Sequence, residues 1–199
     1  MCGEQSEKTA DPSALRKDAL RARMRAARKA IPADERARID AAICDRVCAT
    51  PEFQQAQVVL TYLSMGAEVD TRGIINRAWQ AGKTVALPRC TGPRQMRWFR
   101  VASLDNLQKS AFGVEEPLAD DAPEQLLSTG ERMVAIVPGF TFDADGYRLG
   151  YGGGFYDTFL ADFDGPSLGL CRSAMRVESL SELGVVDEYD LPVTAVVSD

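Results

Sequence analysis

Histidine is absent from all 199 residues of this chain, and its absence excludes several classes of enzyme. Without an imidazole there is no Ser-His-Asp or Cys-His nucleophile pair, no histidine-bound zinc and no imidazole acid or base. Any chemistry must therefore use carboxylates, Lys, Arg, Tyr, Cys, backbone amides or a metal ion held by oxygen atoms.

Cysteines and long apolar runs are also scarce. The five cysteines are odd in number and include no Cys-x-x-Cys spacing, which favours reduced thiols and predicts a cytoplasmic protein. Cys44 and Cys48 lie four residues apart and are interpreted as small core residues, since zinc would need two more ligands. No run of about 18 apolar residues predicts a membrane span, and the polar start from Met1 to Ser13 predicts no signal peptide.

The charge balance is acidic. There are 23 basic and 29 acidic residues, a net charge of -6 and a sequence pI of about 4.9. This balance argues against a general attraction to nucleic acid or to an anionic membrane. With 45% hydrophobic residues, a chain of this length predicts one globular domain. We expect that domain over residues 14–199, a poorly ordered tail over residues 1–13, and a monomer.

A basic segment runs from Arg16 to Lys29 and holds seven basic residues but only one acidic residue, Asp18. Its apolar residues recur at helical intervals and predict an amphipathic helix with a cationic outer face: Leu20, Met24, Ala27 and Ile31. Three interpretations stay open, namely a solvated face, a nucleic-acid arm, and neutralisation of a small polyanion such as ATP. Lys17 and Arg21 lie four residues apart and share one helix face.

Strands alternate with helices along the chain. The predicted strands are Val58–Leu63, Thr84–Leu87, Met96–Val101, Met133–Val137, Ser167–Leu170 and Val193–Val197. The predicted helices after the basic one start at Pro32, Thr71, Gly154 and Arg176, and end at Pro51, Gly82, Leu160 and Leu183. This alternation predicts an α/β fold, a single layered domain with a largely parallel central sheet flanked by helices. Ligands of such sheets bind beyond the carboxyl ends of the strands, here after Leu63 and Val137.

A glycine-rich segment follows the predicted strand Met133–Val137. Its glycines are Gly150, Gly152, Gly153 and Gly154. They open the backbone where a helix is predicted to start, so that amide groups can approach an anion. Arg148 adds a cation and Asp157 adds an oxygen ligand that suits Mg²⁺. A flexible turn between strand and helix is the alternative.

Two common nucleotide-binding patterns fail here. The G-x-G-x-x-G pattern fails because Phe155 or Asp157 stands where the third glycine belongs, depending on the starting glycine. The run Gly82-Lys83-Thr84 imitates the end of a Walker A loop, but the residue five positions before Gly82 is Arg77 and not Gly. The Gly-Lys-Thr run is therefore interpreted as a turn.

Carboxylates occur near two other predicted strands. Glu68 follows the strand Val58–Leu63 and could accept paired N–H groups from a heterocycle. Helix capping by Asp70 or Thr71 explains part of that segment without a function, so both interpretations stay open. The segment Glu188–Asp190 precedes the last predicted strand and could complete a metal site, although a solvated loop explains it as well.

The segment Val137–Leu160 (VPGFTFDADGYRLGYGGGFYDTFL) closely resembles the signature of the 5-formyltetrahydrofolate cyclo-ligases, also called 5,10-methenyltetrahydrofolate synthetases. Four supporting motifs occur in the family's order: Lys-x-x-Leu-Arg at Lys17–Arg21, Tyr-Leu-Ser-Met-x-x-Glu at Tyr62–Glu68, Gly-x-x-Glu-Pro at Gly113–Pro117 and Glu-x-Asp at Glu188–Asp190. The resemblance implies ATP- and Mg²⁺-dependent conversion of 5-formyltetrahydrofolate to 5,10-methenyltetrahydrofolate, with release of ADP and phosphate. The implied path is an N5-iminium phosphate, attack by N10 and loss of phosphate.

The resemblance also implies roles for individual residues. The implied ATP contacts are Lys17, Arg21, Arg148, Gly150, Gly152, Gly153, Gly154 and Tyr156, with Lys17 and Arg148 also catalytic. The implied folate contacts are Leu63, Glu68, Phe112, Tyr151 and Phe155. The implied Mg²⁺ ligands are Asp157 and Asp190.

The sequence departs from the family pattern at Thr158, Met175 and Tyr189, where the family often has a basic residue, Gln, and His or Asn. A non-catalytic protein that binds ATP or folate is therefore one alternative. A nucleic-acid module built on the basic helix is the other.

Overall fold

The computed structural model describes residues 12–105, 107–110, 113–118 and 130–199. The helices are α1 (Pro12–Ala30), α2 (Ala33–Ala49), α3 (Pro51–Gln55), α4 (Arg72–Gln80) and α5 (Phe155–Ala161), with a 3₁₀ turn at Ser173–Met175. The strands are β1 (Val58–Leu60), β2 (Thr84–Gly92), β3 (Gln95–Val101), β4 (Leu107–Lys109), β5 (Glu115–Pro117), β6 (Met133–Val137), β7 (Thr141–Phe142), β8 (Arg148–Leu149), β9 (Ser167–Leu170) and β10 (Ala195–Val197).

A six-stranded sheet with the order β10-β9-β6-β1-β2-β3 forms the centre of the described residues. Its neighbours pair in parallel except β2 and β3, which form an antiparallel pair at one edge. Two short antiparallel pairs, β4 with β5 and β7 with β8, lie outside this sheet. The predicted α/β fold with a largely parallel sheet is confirmed.

Alternate residues of each strand point to opposite faces of the sheet, so both faces carry apolar side chains that need cover. Helices cover both faces, and each face has its own core cluster. The cluster on the side of α2 and α4 includes Ile43, Val47, Val59, Ile74 and Ile136. The cluster on the side of α1 and α5 includes Leu20, Met24, Leu60, Val137 and Phe159. Full burial of each such side chain contributes roughly 1.5–3 kcal/mol, so both clusters hold the sheet between its helices.

Three predicted elements differ from the structure. The first predicted strand ends at Leu60, three residues earlier than expected, so its last residues belong to the loop that bears Glu68. Strand β2 continues through Pro88, because Pro88 lies opposite Trp98 at the antiparallel edge and needs no second partner strand. The predicted helix Arg176–Leu183 is wrong: the chain forms the 3₁₀ turn Ser173–Met175 and then turns.

Helix α1 begins at Pro12, so it includes the last two residues of the predicted tail. Residues 1–11, which hold the rest of that tail, lie outside the described residues, and so does Phe112. Of the helices that the structure describes, none combines the length and the apolar character that crossing a bilayer requires.

Candidate active site

The candidate site starts from a tight hairpin that follows β6. The fully buried carboxylate of Asp143 accepts hydrogen bonds from the backbone N–H of Tyr147 (2.9 Å) and of Leu180 (2.9 Å). Gly146 adopts φ +87°, and a Cβ atom there would lie 2.5 Å from the carbonyl oxygen of Val193. Only glycine fits this turn, which places the next strand, β8, beside the C-terminal segment.

Arg148 and Asp157 form a charged pair in the middle of the site. Arg148 lies on β8 with its side chain 4% exposed, and its Nη2 donates to Oδ1 of Asp157 at 2.6 Å. Its Nη1 donates to the carbonyl oxygen of Leu191 at 2.7 Å, and the Leu191 N–H lies 3.4 Å from the same Asp157 oxygen. The predicted cation and the predicted metal ligand are thus direct partners, and Asp157 lies next to the segment that contains Asp190.

Lys17 joins helix α1 to that segment. Its Nζ donates to Oδ2 of Asp187 and to Oδ2 of Asp190, both at 2.8 Å. Burial alone would lower the pKa of Lys17, but the two carboxylates outweigh it and raise that pKa. The hydrogen bond from Lys17 in turn lowers the pKa of Asp187, so this ion pair stays charged over a wide pH range.

The glycine loop contacts the same helix. Arg21 donates from Nε to the carbonyl oxygen of Gly150 at 2.9 Å, and its Nη2 lies 3.2 Å from where a Cβ atom on Gly152 would be. Gly152 and Gly154 have φ of +92° and +69°, and Gly154 is the N-cap of α5. The ring of Phe155 would come within 2.7 Å of a Cβ atom on Gly153. The loop is therefore a packed turn held against Arg21, and side chains on these glycines would disturb it.

Tyr151, in the middle of the glycine loop, connects it to Glu68. The Tyr151 hydroxyl donates to Oε1 of Glu68 and lies 3.4 Å from Nη1 of Arg28. Its ring packs on Phe140 with centroids 4.5 Å apart, and the Arg28 guanidinium lies 4.8 Å from the Phe140 centroid. Arg28 also donates to the carbonyl oxygen of Gly139, so it links Tyr151 of the glycine loop to the segment that follows β6.

Glu68 faces three tyrosines. Its Oε2 accepts the backbone N–H of Met65 at 2.7 Å, while burial and then the negative charge of Glu68 raise the pKa values of Tyr62, Tyr151 and Tyr156. All three phenols therefore remain protonated donors near neutral pH. The Tyr156 hydroxyl is buried and, among the described residues, has no hydrogen-bond partner. Tyr62 donates to the carbonyl oxygen of Val69 at 3.1 Å.

Several predicted residues lie away from this network. Leu63, implied by the resemblance as a folate contact, is 5% exposed and belongs to the core cluster beside α2 and α4. Met175 is 3% exposed in the other core cluster, and its carbonyl oxygen accepts the Thr141 hydroxyl at 2.6 Å. Tyr189 is 74% exposed. Two of the three departures from the family pattern are therefore a core residue and a surface residue.

Metal ligands are not clustered in the part of the chain that the structure describes, where no group of three or more His, Cys, Asp or Glu side chains could hold an ion. The two predicted ligands are each paired with a cation, Asp157 with Arg148 and Asp190 with Lys17. This arrangement fits Mg²⁺ carried by a nucleotide, because Mg²⁺ commonly binds through one or two carboxylates together with phosphate oxygens and water.

The sequence interpretation missed two cations beside the glycine loop. Arg28 is 7% exposed and continues the buried stripe of Leu20 and Met24, whereas Ala27, which was predicted to continue it, is exposed. The spacing of four residues from Met24 was the available signal. Arg94, in the turn between β2 and β3, lies with Cδ 3.4 Å from where a Cβ atom on Gly154 would be. Nothing in the local sequence indicates that long-range contact.

Comparisons with known proteins identify the family. The sequence model of the 5-formyltetrahydrofolate cyclo-ligase family matches residues 13–199. A mouse protein named 5-formyltetrahydrofolate cyclo-ligase is 34% identical over 148 residues, which are 72% of this chain and 73% of that protein. The protein of the same name from Escherichia coli K12 is 29% identical over 180 residues, which are 88% and 96% of the two chains.

A solved structure has the same fold. The NMR structure of 5,10-methenyltetrahydrofolate synthetase from Aquifex aeolicus matches with a TM-score of 0.76 and 30% identity, and the match covers 92% of this chain and 89% of that one.

Proposed function

We propose that this chain, which belongs to the 5-formyltetrahydrofolate cyclo-ligase family of enzymes, uses ATP and Mg²⁺ to convert 5-formyltetrahydrofolate to 5,10-methenyltetrahydrofolate. One observation carries the proposal: the glycine loop contacts a basic helix through Arg21 and a carboxylate through the bond from Tyr151 to Glu68. A cationic half suited to phosphates and an anionic half suited to a pterin thus adjoin across one loop.

The nucleotide half consists of Lys17, Arg21, Arg148 and the glycines 150 and 152–154. Transfer of a phosphoryl group depends mainly on positioning and on neutralising negative charge, which amide groups, Lys and Arg supply without histidine. Lys17 and Arg148 form ion pairs with Asp190 and Asp157. We expect the phosphates of ATP to take over these cations and to leave the two carboxylates for Mg²⁺.

Asp157 and Asp190 would hold Mg²⁺. When bound, the ion supplies Lewis-acid neutralisation of the phosphate oxygens. Asp157 can serve as a ligand because its hydrogen bonds with Arg148 and with the Leu191 N–H both use Oδ1, which leaves Oδ2 for the ion. The chain's own contribution is to keep Asp157 and the Asp190 segment side by side, which the Arg148 contact with the Leu191 carbonyl does.

The folate half consists of Glu68 with the phenol of Tyr151. A pterin presents an amino group and a ring N–H side by side, a donor pair that one carboxylate accepts in parallel. Tyr156 stays a proposed contact for ATP, since its buried hydroxyl has no hydrogen-bond partner among the described residues. Phe155 and, outside the described residues, Phe112 are proposed contacts for the apolar parts of the folate.

The formyl oxygen is a poor leaving group because the formamide is resonance-stabilised. Phosphorylation of that oxygen converts it to a phosphate ester, after which N10 attacks the formyl carbon and phosphate departs. Lys17 and Arg148 would stabilise the charge on the transferring phosphoryl group. No step in this sequence needs a side-chain nucleophile, which agrees with a chain that has no histidine.

The test is the rise in methenyl absorbance when the protein is mixed with 5-formyltetrahydrofolate, with ATP or Mg²⁺ omitted in turn. We expect turnover only when both are present, with one ADP formed per product. ATP binding without turnover would instead indicate a non-catalytic binding protein, and turnover without ATP would contradict the proposed chemistry.

A further inference from the structure

A buried ion pair joins three elements beneath the Glu68 loop. Asp40 lies on α2 and Arg172 follows β9, and their side chains are 8% and 1% exposed. Arg172 donates from Nε to Oδ1 and from Nη2 to Oδ2 of Asp40, both at 2.8 Å. Such a two-point contact fixes the plane of the guanidinium group.

The other donors of Arg172 bind the loop after β1. Its Nη1 donates to the carbonyl oxygen of Ala67 and its Nη2 to that of Glu68, both at 2.9 Å. Asp40 adds a contact to the same loop, because its Oδ2 accepts the backbone N–H of Asp70 at 3.1 Å. The pair therefore holds the backbone by hydrogen bonds on both sides of the Glu68 Cα atom.

We propose that Asp40 and Arg172 are positioning residues that hold the backbone of Glu68 so that its carboxylate meets the folate, a role that rests on the function proposed above. Neither residue touches the substrate in this proposal. They act through Glu68, whose flexible side chain is otherwise held, among the described residues, by hydrogen bonds with Met65 and Tyr151. A loop released from the pair would let the carboxylate sample other positions, so folate would bind less tightly.

A buried ion pair invites a purely structural explanation, so the test must separate the two roles. Replacing the whole pair by apolar residues of similar size often leaves stability unchanged, whereas removing one partner leaves a buried charge alone. The double variant Asp40→Leu/Arg172→Met is therefore the main reagent. We expect it to melt at a lower temperature than the parent, because the carbonyl groups of Ala67 and Glu68 and the N–H of Asp70 lose their partners, but to stay folded at about 25 °C. At that temperature it should bind 5-formyltetrahydrofolate about tenfold more weakly, with ATP affinity within about twofold of the parent. The kcat at saturating folate should stay close to that of the parent, so that only KM for folate rises.

A cycle with Glu68→Gln decides whether the effect passes through Glu68. If Asp40 and Arg172 act by positioning that carboxylate, adding their replacement to Glu68→Gln should weaken folate binding no further. Losses that multiply to about a hundredfold in the triple variant would overturn the proposal, as would an equal loss of ATP affinity. An unchanged folate affinity in Glu68→Gln alone would overturn it too.

Two further variants complete the experiment. Arg172→Lys keeps the charge beside Asp40 but cannot serve a carboxylate and two carbonyl oxygens at once, so it should reproduce the folate loss. If the double variant does not fold, Arg172→Lys can be combined with Glu68→Gln in the same cycle. If Arg172→Lys binds folate as tightly as the parent does, the proposal is refuted. The matched control is Asp45→Leu/Arg77→Met, an exposed pair between α2 and α4, which should leave both affinities unchanged. A parent protein that binds no folate would mean that the proposed function itself has failed.

Discussion

Replacing Asp157 by Asn tests its proposed role as a Mg²⁺ ligand with little change in shape. The amide oxygen of Asn can take the place of Oδ1 and keep the bond from Arg148, now 2.6 Å long. The substitution removes the negative charge. We expect this loss to weaken Mg²⁺ binding more than it lowers the stability of the fold. The variant therefore separates a ligand role from a structural one.

The stability cost can be bounded from the contacts. A hydrogen bond between charged groups contributes about 1.5–3 kcal/mol and a neutral one about 0.5–1.5 kcal/mol. Because Arg148 keeps the Leu191 carbonyl as a second acceptor, we expect a loss of about 1–3 kcal/mol, which lowers the Tm by about 2–12 °C. With a typical total stability of about 5–15 kcal/mol, nearly all molecules stay folded at 25 °C.

The effect on turnover should be much larger. At limiting Mg²⁺ we expect the rate of methenyl formation to fall by a factor on the order of 100, with partial recovery at high Mg²⁺. Asp162→Asn, at the exposed C-terminal end of the same helix α5, is the matched control and should keep the parent rate. Near-parental activity of Asp157→Asn at limiting Mg²⁺ would refute the assignment, and a rate loss that follows only the fraction unfolded would show a structural role.

Three further outcomes follow from the same contacts. Arg148→Lys should reduce turnover at least about tenfold and nearly as far as Arg148→Ala, since one ammonium group cannot reach the acceptors that two guanidinium nitrogens serve. Gly146→Ala should lower the free energy of unfolding in urea by about 2–5 kcal/mol, because φ is +87° and the new Cβ would meet the Val193 carbonyl oxygen. Lys17→Met should lower the Tm at neutral pH. The difference in Tm between parent and variant should become smaller in acid, as Asp187 is protonated below its ordinary pKa of 3.8, and in base, as Lys17 loses its proton above its ordinary pKa of 10.5.

Each of these has its own check. Full activity in Arg148→Lys would mean that only the charge matters. Gly66→Ala, where φ is +57° and no atom lies within 4 Å of the new Cβ, should cost about 1 kcal/mol, and an equal loss at both glycines would remove the steric argument. A gap between parent and Lys17→Met that stays constant from pH 3 to 11 would show that the ion pair does not contribute to stability.

Much of the fold was predictable because the signals were local. The apolar runs Met133–Val137 and Ser167–Leu170 are strands at those residues, and the edge strand at Met96–Val101 was also found. The errors came where tertiary contacts override local preference. Pro88 does not end β2, because an edge position spares it a second partner, and the hairpin of β7 and β8 depends on the buried Asp143, whose partner Leu180 is remote in sequence.

The candidate site was predictable by residue type but not by pairing. The sequence placed Arg148 and Asp157 in one segment, and the structure makes them an ion pair. Arg172 could not be found from the sequence, since its partner Asp40 lies on a helix far away in the chain and both residues have the character of ordinary surface charges. Buried charged residues are rare, so residue type alone argues against them. A contact between residues so far apart in the chain produces no periodic pattern in the sequence.

The bond from Lys17 to Asp190 spans 173 residues and joins the two ends of the described chain. A growing chain on the ribosome can form helix α1 and pair β1 with β2 and β3 early, but it cannot close this contact until the segment that contains Asp190 emerges. The entropy of closing such a loop grows only slowly with length, by about 0.6 kcal/mol per doubling, so the delay is one of timing and not of energy. The proposed phosphate binding at Lys17 and the proposed metal binding at Asp190 would therefore be acquired together, once the segment that contains Asp190 has been made.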